Sequence, residues 1–124
     1  MRHLSISPLL VRIAIPFTPL LLVPFVSTAK PAYAAVATTQ VKGREFHFTL
    51  ATKTAARPGT VTFTFTNVGS IAHDFSIAGK TTPLVAPGQT AKLVVRFKKA
   101  GKFSYLGTVP GHAAAGMRGV FTVR

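Results

Sequence analysis

Apolar and polar side chains alternate along most of the chain after residue 40. The stretch VTFTFT, residues 61–66, sets Val61, Phe63 and Phe65 against three threonines. Alternation at every second residue is typical of a β-strand with one face buried and the other in water. Similar alternation predicts five further strands, at residues 45–50, 73–77, 91–97, 103–109 and 117–123.

Turn-forming residues separate these strands. Residues 56–60, 67–70, 86–90 and 99–102 each contain glycine, in two cases directly after proline. No stretch shows an apolar stripe with the helical period of 3.6 residues, and residues 34–40 resemble a leader into the first strand. About six or seven short strands separated by such turns predict an all-β domain, a small sandwich or barrel with antiparallel neighbours.

The same alternation sorts the histidines by burial. His47 falls on the polar phase of its strand, next in that phase to Glu45, and is therefore predicted to lie at the surface. His73 shares its phase with Phe75 and Ile77, which predicts a buried imidazole. Because a buried imidazole needs a hydrogen bond or a metal ion, His73 is a candidate functional residue.

The first third of the chain has the pattern of a targeting segment. A basic start is followed by the apolar run 13–26 and by Ala32-Tyr33-Ala34, which has small residues at both specificity positions of a cleavage site. This pattern predicts a cleaved signal peptide over 1–34 and export to the periplasm, cell envelope or exterior. A retained membrane anchor is the alternative, but the run is shorter than the roughly 20 residues that a span needs.

The predicted mature domain, residues 35–124, is strongly basic. It carries twelve lysines and arginines against Glu45 and Asp74, a formal charge of +10. The charges are scattered, with a cluster only at 96–102, and the chain is predicted to be exported, so nucleic acid is not the expected partner. An acidic protein partner or an anionic cell-surface polymer fits better, and we expect a monomer without a membrane span after processing.

The same composition argues against an enzyme. The chain has no cysteine nucleophile, and two carboxylates do not form a general acid and base pair. Consecutive strand residues point to opposite faces, so Asp74 is not expected to orient His73 as in a catalytic triad. We therefore expect a protein without catalytic activity.

Three residues are candidates for a metal site: His73, His112 and Met117. Two imidazoles and one thioether are borderline to soft donors, which suit copper better than magnesium or calcium. His112 and Met117 lie in YLGTVPGHAAAGMRG, residues 105–119, between the last two predicted strands. A loop there can fold over the end of the sheet and approach His73. Gly107 lies on the inward phase where the strand enters that loop.

Residues 60–124 resemble the cupredoxin family, the blue copper proteins that include plastocyanin, azurin and amicyanin. The matching segments are 67–69, 73–75 and YLGTVPGHAAAGM. The resemblance implies a Greek-key β-sandwich or barrel of about seven strands, with copper ligands at His73, His112 and Met117. The family also has a copper-binding cysteine, and this chain has Gly107 in its place.

The glycine changes the expected function. A cysteine thiolate supplies the short covalent bond that colours such sites, and glycine cannot form it. The remaining His73, His112 and Met117 set is neutral and favours Cu(I) over Cu(II). We therefore predict an exported protein that binds or carries copper. An electron-transfer cupredoxin is one alternative. The other is a metal-free interaction module, in which the histidines share a hydrogen bond and Met117 fills the core.

An apolar surface is predicted around His112. Small and apolar side chains surround this histidine in the late loop, while lysine and arginine lie elsewhere. Such a surface is suited to docking a partner, with or without a metal. The predicted docking residues are Val109, Pro110, Ala113, Ala114 and Ala115.

Overall fold

Two β-sheets face each other in the computed structural model, which describes residues 3, 8–9, 11–25 and 37–124. The strands of the described part are β1 (Ala37–Arg44), β2 (His47–Leu50), β3 (Thr54–Ala55), β4 (Gly59–Asn67), β5 (Ser76–Ile77), β6 (Lys80–Thr81), β7 (Thr90–Phe97), β8 (Gly101–Leu106) and β9 (Arg118–Val123). One sheet has the order β2-β1-β4-β7 and the other β3-β9-β8-β5-β6. The all-β sandwich is confirmed. It has nine strand pieces, more than predicted, because β1, β3 and β6 lie outside the six predicted strands.

The alternation correctly predicted the buried faces of β4, β7, β8 and β9. In β4, Val61, Phe63 and Phe65 are buried and the threonines between them face outward. The inner faces meet in an aromatic cluster centred on Phe75, whose ring centroid lies 5.3 Å from those of Phe48 and Phe63. Each fully buried side chain of this size contributes about 1.5–3 kcal/mol through the hydrophobic effect.

The first hairpin differs from the prediction. Residues 37–44 form β1, where a leader was expected, and the strand predicted over 45–50 begins only at His47. The buried positions of β1 include Thr39 and Gly43, so its apolar signal is weak. Glu45 and Phe46 form the turn between β1 and β2, which moves both residues to the end of the sandwich.

The expectation of purely antiparallel neighbours is wrong for two strand pairs. β1 runs parallel to β4, from Ala37 opposite Val61 to Gly43 opposite Asn67, and β3 runs parallel to β9. Parallel neighbours need a long connection. The chain provides it because β3, which lies between β2 and β4 in sequence, belongs to the other sheet.

The segment predicted as a strand over 73–77 is regular only at its end. His73 forms an isolated antiparallel bridge with Val85, and β5 begins at Ser76. His73 and Phe75 are buried as predicted, but Asp74, which was expected to face outward, is buried too. The loop that follows β8 covers Asp74 and bonds to it.

Residues 11–25 form no helix or strand, and their side chains are exposed. Among the residues that the structure describes, no helix is long and apolar enough to cross a membrane. The predicted cleavage position after Ala34 lies outside the described residues, and the signal peptide over 1–34 stays a prediction.

Candidate metal centre

The loop between β8 and β9 folds back over one end of the sandwich. The Gly107 amide donates to the Met117 carbonyl at 2.9 Å, and the Met117 amide donates to the His112 carbonyl at 3.1 Å. Gly111 and Gly116 have φ values of +86° and +125°, a backbone conformation that glycine adopts without steric cost. The loop therefore holds Gly107, His112 and Met117 next to one another.

His73 reaches the same end just before β5, which pairs with β8 in the same sheet. Its amide donates to the Val85 carbonyl at 3.1 Å, and the Val85 amide donates back at 2.8 Å. The buried Asn67 side chain donates to the carbonyls of Val85 and Ile71, at 2.9 and 2.7 Å. These hydrogen bonds fix the backbone on both sides of His73, whose side chain is completely buried.

The two imidazoles face each other through the same type of nitrogen. Nδ1 of His73 lies 3.2 Å from Nδ1 of His112. Two metal–nitrogen bonds of about 2.0–2.1 Å at a tetrahedral angle would hold their nitrogens roughly 3.3 Å apart. The spacing of the pair therefore fits ligation of a single ion without rearrangement of the backbone.

Gly107 borders both late candidate ligands. A β-carbon placed on Gly107 would lie 3.5 Å from the Met117 β-carbon and 3.6 Å from the His112 β-carbon, which are ordinary contact distances. Met117 is completely buried and His112 nearly so. In the described part of the chain, no three His, Cys, Asp or Glu side chains gather as a metal site. Ligation by His73, His112 and Met117 stays a prediction.

Glu45 contacts the centre, and sequence reasoning missed it. Its carboxylate accepts a hydrogen bond of 2.8 Å from Nε2 of His73, the ring nitrogen that faces away from His112. The hydrogen bond from His73, with smaller contributions from the backbone, lowers the pKa of Glu45 to about 2. The alternation assigned Glu45 to a strand. The available signal was its rarity, since Asp74 is the only other acidic residue.

Asp74 fastens the late loop and does not touch the imidazoles. Its carboxylate accepts from the Thr108 amide at 2.6 Å and from the Thr108 hydroxyl. Thr108 directly follows Gly107, so this contact ties the segment that carries His73 to the start of the loop that carries His112. Asp74 therefore has a structural role, because it joins the two segments that carry the candidate ligands.

An aromatic ring covers the histidine pair. The Phe46 ring centroid lies 5.2 Å from that of His112 and 6.5 Å from that of His73. Phe46 falls on the apolar phase of the strand predicted over 45–50 but lies on the turn and is 39% exposed. Three of the predicted docking residues are exposed: Pro110, Ala114 and Ala115. The other two, Val109 and Ala113, are partly buried. Their docking role stays a prediction.

Two facing sheets, a histidine that enters from an early segment and a His-to-Met loop between the last two strands define a cupredoxin. A family model described as copper binding proteins, plastocyanin/azurin family, matches residues 32–124. The chain therefore belongs to the plastocyanin/azurin family of copper-binding proteins.

Individual proteins are similar to the chain in sequence or in fold. The chain is 34% identical over 99 residues to the copper-resistant cuproprotein CopI of Rubrivivax gelatinosus, with 62% of this chain and 59% of the relative covered. It therefore spans about three-fifths of that protein. The fold is similar to reduced auracyanin from Roseiflexus castenholzii, with a TM-score of 0.64, 23% identity and coverage of 73% of this chain and 98% of auracyanin. Auracyanin A from Chloroflexus aurantiacus, a blue copper protein, gives a TM-score of 0.61 at 21% identity, covering 71% and 98%.

Proposed function

We propose that the chain is an exported protein that binds copper, with a preference for Cu(I), at His73, His112 and Met117 and carries it to other sites. The observation that supports this most is the 3.2 Å separation of the two Nδ1 atoms in a buried end of a copper-binding fold. Two neutral imidazoles and a thioether suit the softer Cu(I) ion. The similarity to a copper-resistant cuproprotein supports a role in copper handling.

The residues around the two histidines are compatible with release of copper as well as with its binding. His73 is buried and Phe46 covers the rings, which limits access of water to the ligands. Gly107 has no side chain and so leaves one position beside Met117 without a donor from this chain. A donor group of a partner that docks on the apolar surface at Pro110 and Ala114 would complete the ligand set and draw the metal away.

Binding and carriage fit the side chains better than catalysis. The chain has two carboxylates, and both are engaged in internal hydrogen bonds, Glu45 to His73 and Asp74 to Thr108. Neither is left to act as a general acid or base on a substrate. Electron transfer in the manner of the family is less well supported, because Gly107 supplies no thiolate to couple the metal to a partner.

Copper retention tests the proposal. We expect the wild-type chain to retain one Cu(I) per molecule against a competing chelator. The His112→Ala variant should lose it, because one of three donors is removed. His47→Ala is the matched control, since His47 is exposed on β2, and it should retain the metal. A wild-type chain that yields its copper as readily as His112→Ala would contradict the proposal.

A metal-free interaction module is the second candidate, because the same 3.2 Å contact also satisfies the imidazoles as a hydrogen bond. Ligand binding to the folded state raises the melting temperature, so copper separates the two functions. The proposed copper protein should melt at a higher temperature with one equivalent of Cu(I). An unchanged melting temperature would support the metal-free module.

We also propose an anionic partner, in the form of an acidic protein or a cell-surface polymer. With Glu45 and Asp74 bonded internally, the charged side chains left for an external partner are lysines and arginines. Screening weakens attraction between exposed charges as the salt concentration rises. Association with such a partner should therefore weaken steeply across a salt series.

A further inference from the structure

The carboxylate of Glu45 lies in a site formed by the 69–71 loop. Besides the hydrogen bond from His73, Oε1 accepts from the backbone amides of Ser70 at 2.9 Å and Ile71 at 3.1 Å. Oε2 accepts from the Ser70 hydroxyl at 3.3 Å. A methyl group on Gly69 would overlap Oε1, so the loop approaches the carboxylate this closely because residue 69 is glycine.

This contact determines where the His73 ring carries its proton. An ionised carboxylate only accepts hydrogen bonds, so Nε2 of His73 is the protonated nitrogen. In a neutral imidazole the other nitrogen then has a free lone pair, and in His73 that atom is Nδ1, which faces His112. With a neutral His73 ring, Nδ1 of His112 is then the donor of the 3.2 Å contact.

We propose that Glu45 is a positioning residue of the copper centre. It holds the Nδ1 lone pair of His73 toward the metal position and places one negative charge behind that ligand. This inference rests on the proposed function. A carboxylate that accepts from the second nitrogen of a metal-bound histidine orients the ring and raises its basicity, and loss of such a partner lowers metal affinity roughly 10–100-fold.

The negative charge of Glu45 also affects which copper ion the centre prefers. His73, His112 and Met117 are neutral, and such a set by itself prefers Cu(I). A nearby anion attracts a doubly charged ion more strongly than a singly charged one. Glu45 therefore reduces the preference for Cu(I) that the three ligands would otherwise show.

Asp74 is the matched control for Glu45. It carries the same charge and directly follows His73, but its carboxylate bonds to Thr108 and not to an imidazole. An effect of charge at a distance would therefore appear in both Asp74→Asn and Glu45→Gln. An effect carried by the hydrogen bond to His73 would appear in Glu45→Gln alone.

The first measurement uses the metal-free protein. Nitrogen–proton correlation NMR of the histidine rings should show His73 protonated at Nε2 in the wild type and in Asp74→Asn. In Glu45→Gln the preference should weaken, because an amide can both donate and accept. Gly69→Ala, which retains the charge but displaces the carboxylate, should weaken it too. His73 protonated at Nδ1 in the wild type would overturn the proposal.

The second measurement compares the affinities for both copper ions. Glu45→Gln should lower the Cu(II) affinity roughly 10–100-fold and the Cu(I) affinity less, which raises the reduction potential. Asp74→Asn, which weakens the tie between the His73 segment and the late loop, should change both affinities together and leave the reduction potential close to wild type. Equal Cu(II) affinities in the wild type and Glu45→Gln would overturn this inference alone. A wild-type chain that binds neither ion would overturn the proposed function, whatever the tautomer of His73.

Discussion

Replacing Gly107 with cysteine is expected to create the intense visible absorption of a blue copper site when Cu(II) is added. The wild-type chain, which has no cysteine, should show none. A β-carbon at this position meets Met117 and His112 at ordinary contact distances, so the position accepts a β-carbon without a clash. The thiolate would add the short covalent bond that the His73, His112 and Met117 set lacks. Optical titration with Cu(II) measures the result.

Gly107→Ser is the control for this variant. Serine adds a side chain of similar size and no thiolate, so it should leave the Cu(II) complex without the intense band. Combining Gly107→Cys with His112→Ala should remove the band again, because one nitrogen ligand is lost. A folded Gly107→Cys protein that takes up Cu(II) without colour would show that the new sulfur does not share an ion with the histidines.

Replacing Phe75 with alanine is expected to lower the free energy of unfolding by about 3–5 kcal/mol, as the loss of a fully buried phenylalanine does. Phe75 is completely buried, and its ring contacts four others, those of Phe48, Phe63, Phe65 and Tyr105. No neighbouring side chain can fill the space left by its removal without leaving its own position. Equilibrium unfolding in urea measures the change.

Phe46→Ala is the matched comparison. Phe46 is 39% exposed on the turn between β1 and β2, so removal of its ring leaves no closed cavity. The expected loss of stability is below about 1.5 kcal/mol, since little apolar surface leaves a buried environment. Equal losses for Phe46→Ala and Phe75→Ala would contradict the position of the core given by the structure.

The strand alternation predicted the buried faces of β4 and β7 well. Residues 61–66 and 91–97 form the centres of β4 and β7 with the expected side chains inward. The prediction failed for β1, whose buried positions include Thr39 and Gly43, so its strand character comes from pairing with β4. The parallel direction of that pairing depends on how the chain crosses between the sheets, which no local pattern reveals.

The candidate ligands, like the strands, could be predicted from the sequence only in part. Burial of His73 followed from its phase, and the spacing of His112 and Met117 indicated a loop that covers the sheet end. Glu45 was different. Its contact with His73 joins residues 28 positions apart in the chain, and it exists because the first hairpin turns at Glu45 and not before it.

The amino-acid sequence by itself determined the all-β class, the buried faces of β4, β7, β8 and β9 and the absence of a thiolate beside His112. These properties depend on residue type and on spacing within one segment. Only the tertiary structure decided that the two Nδ1 atoms face each other, that Glu45 bonds to His73 and that Asp74 bonds to Thr108. Each of these contacts joins distant segments, and their distance is set by how the two sheets and their end loops pack.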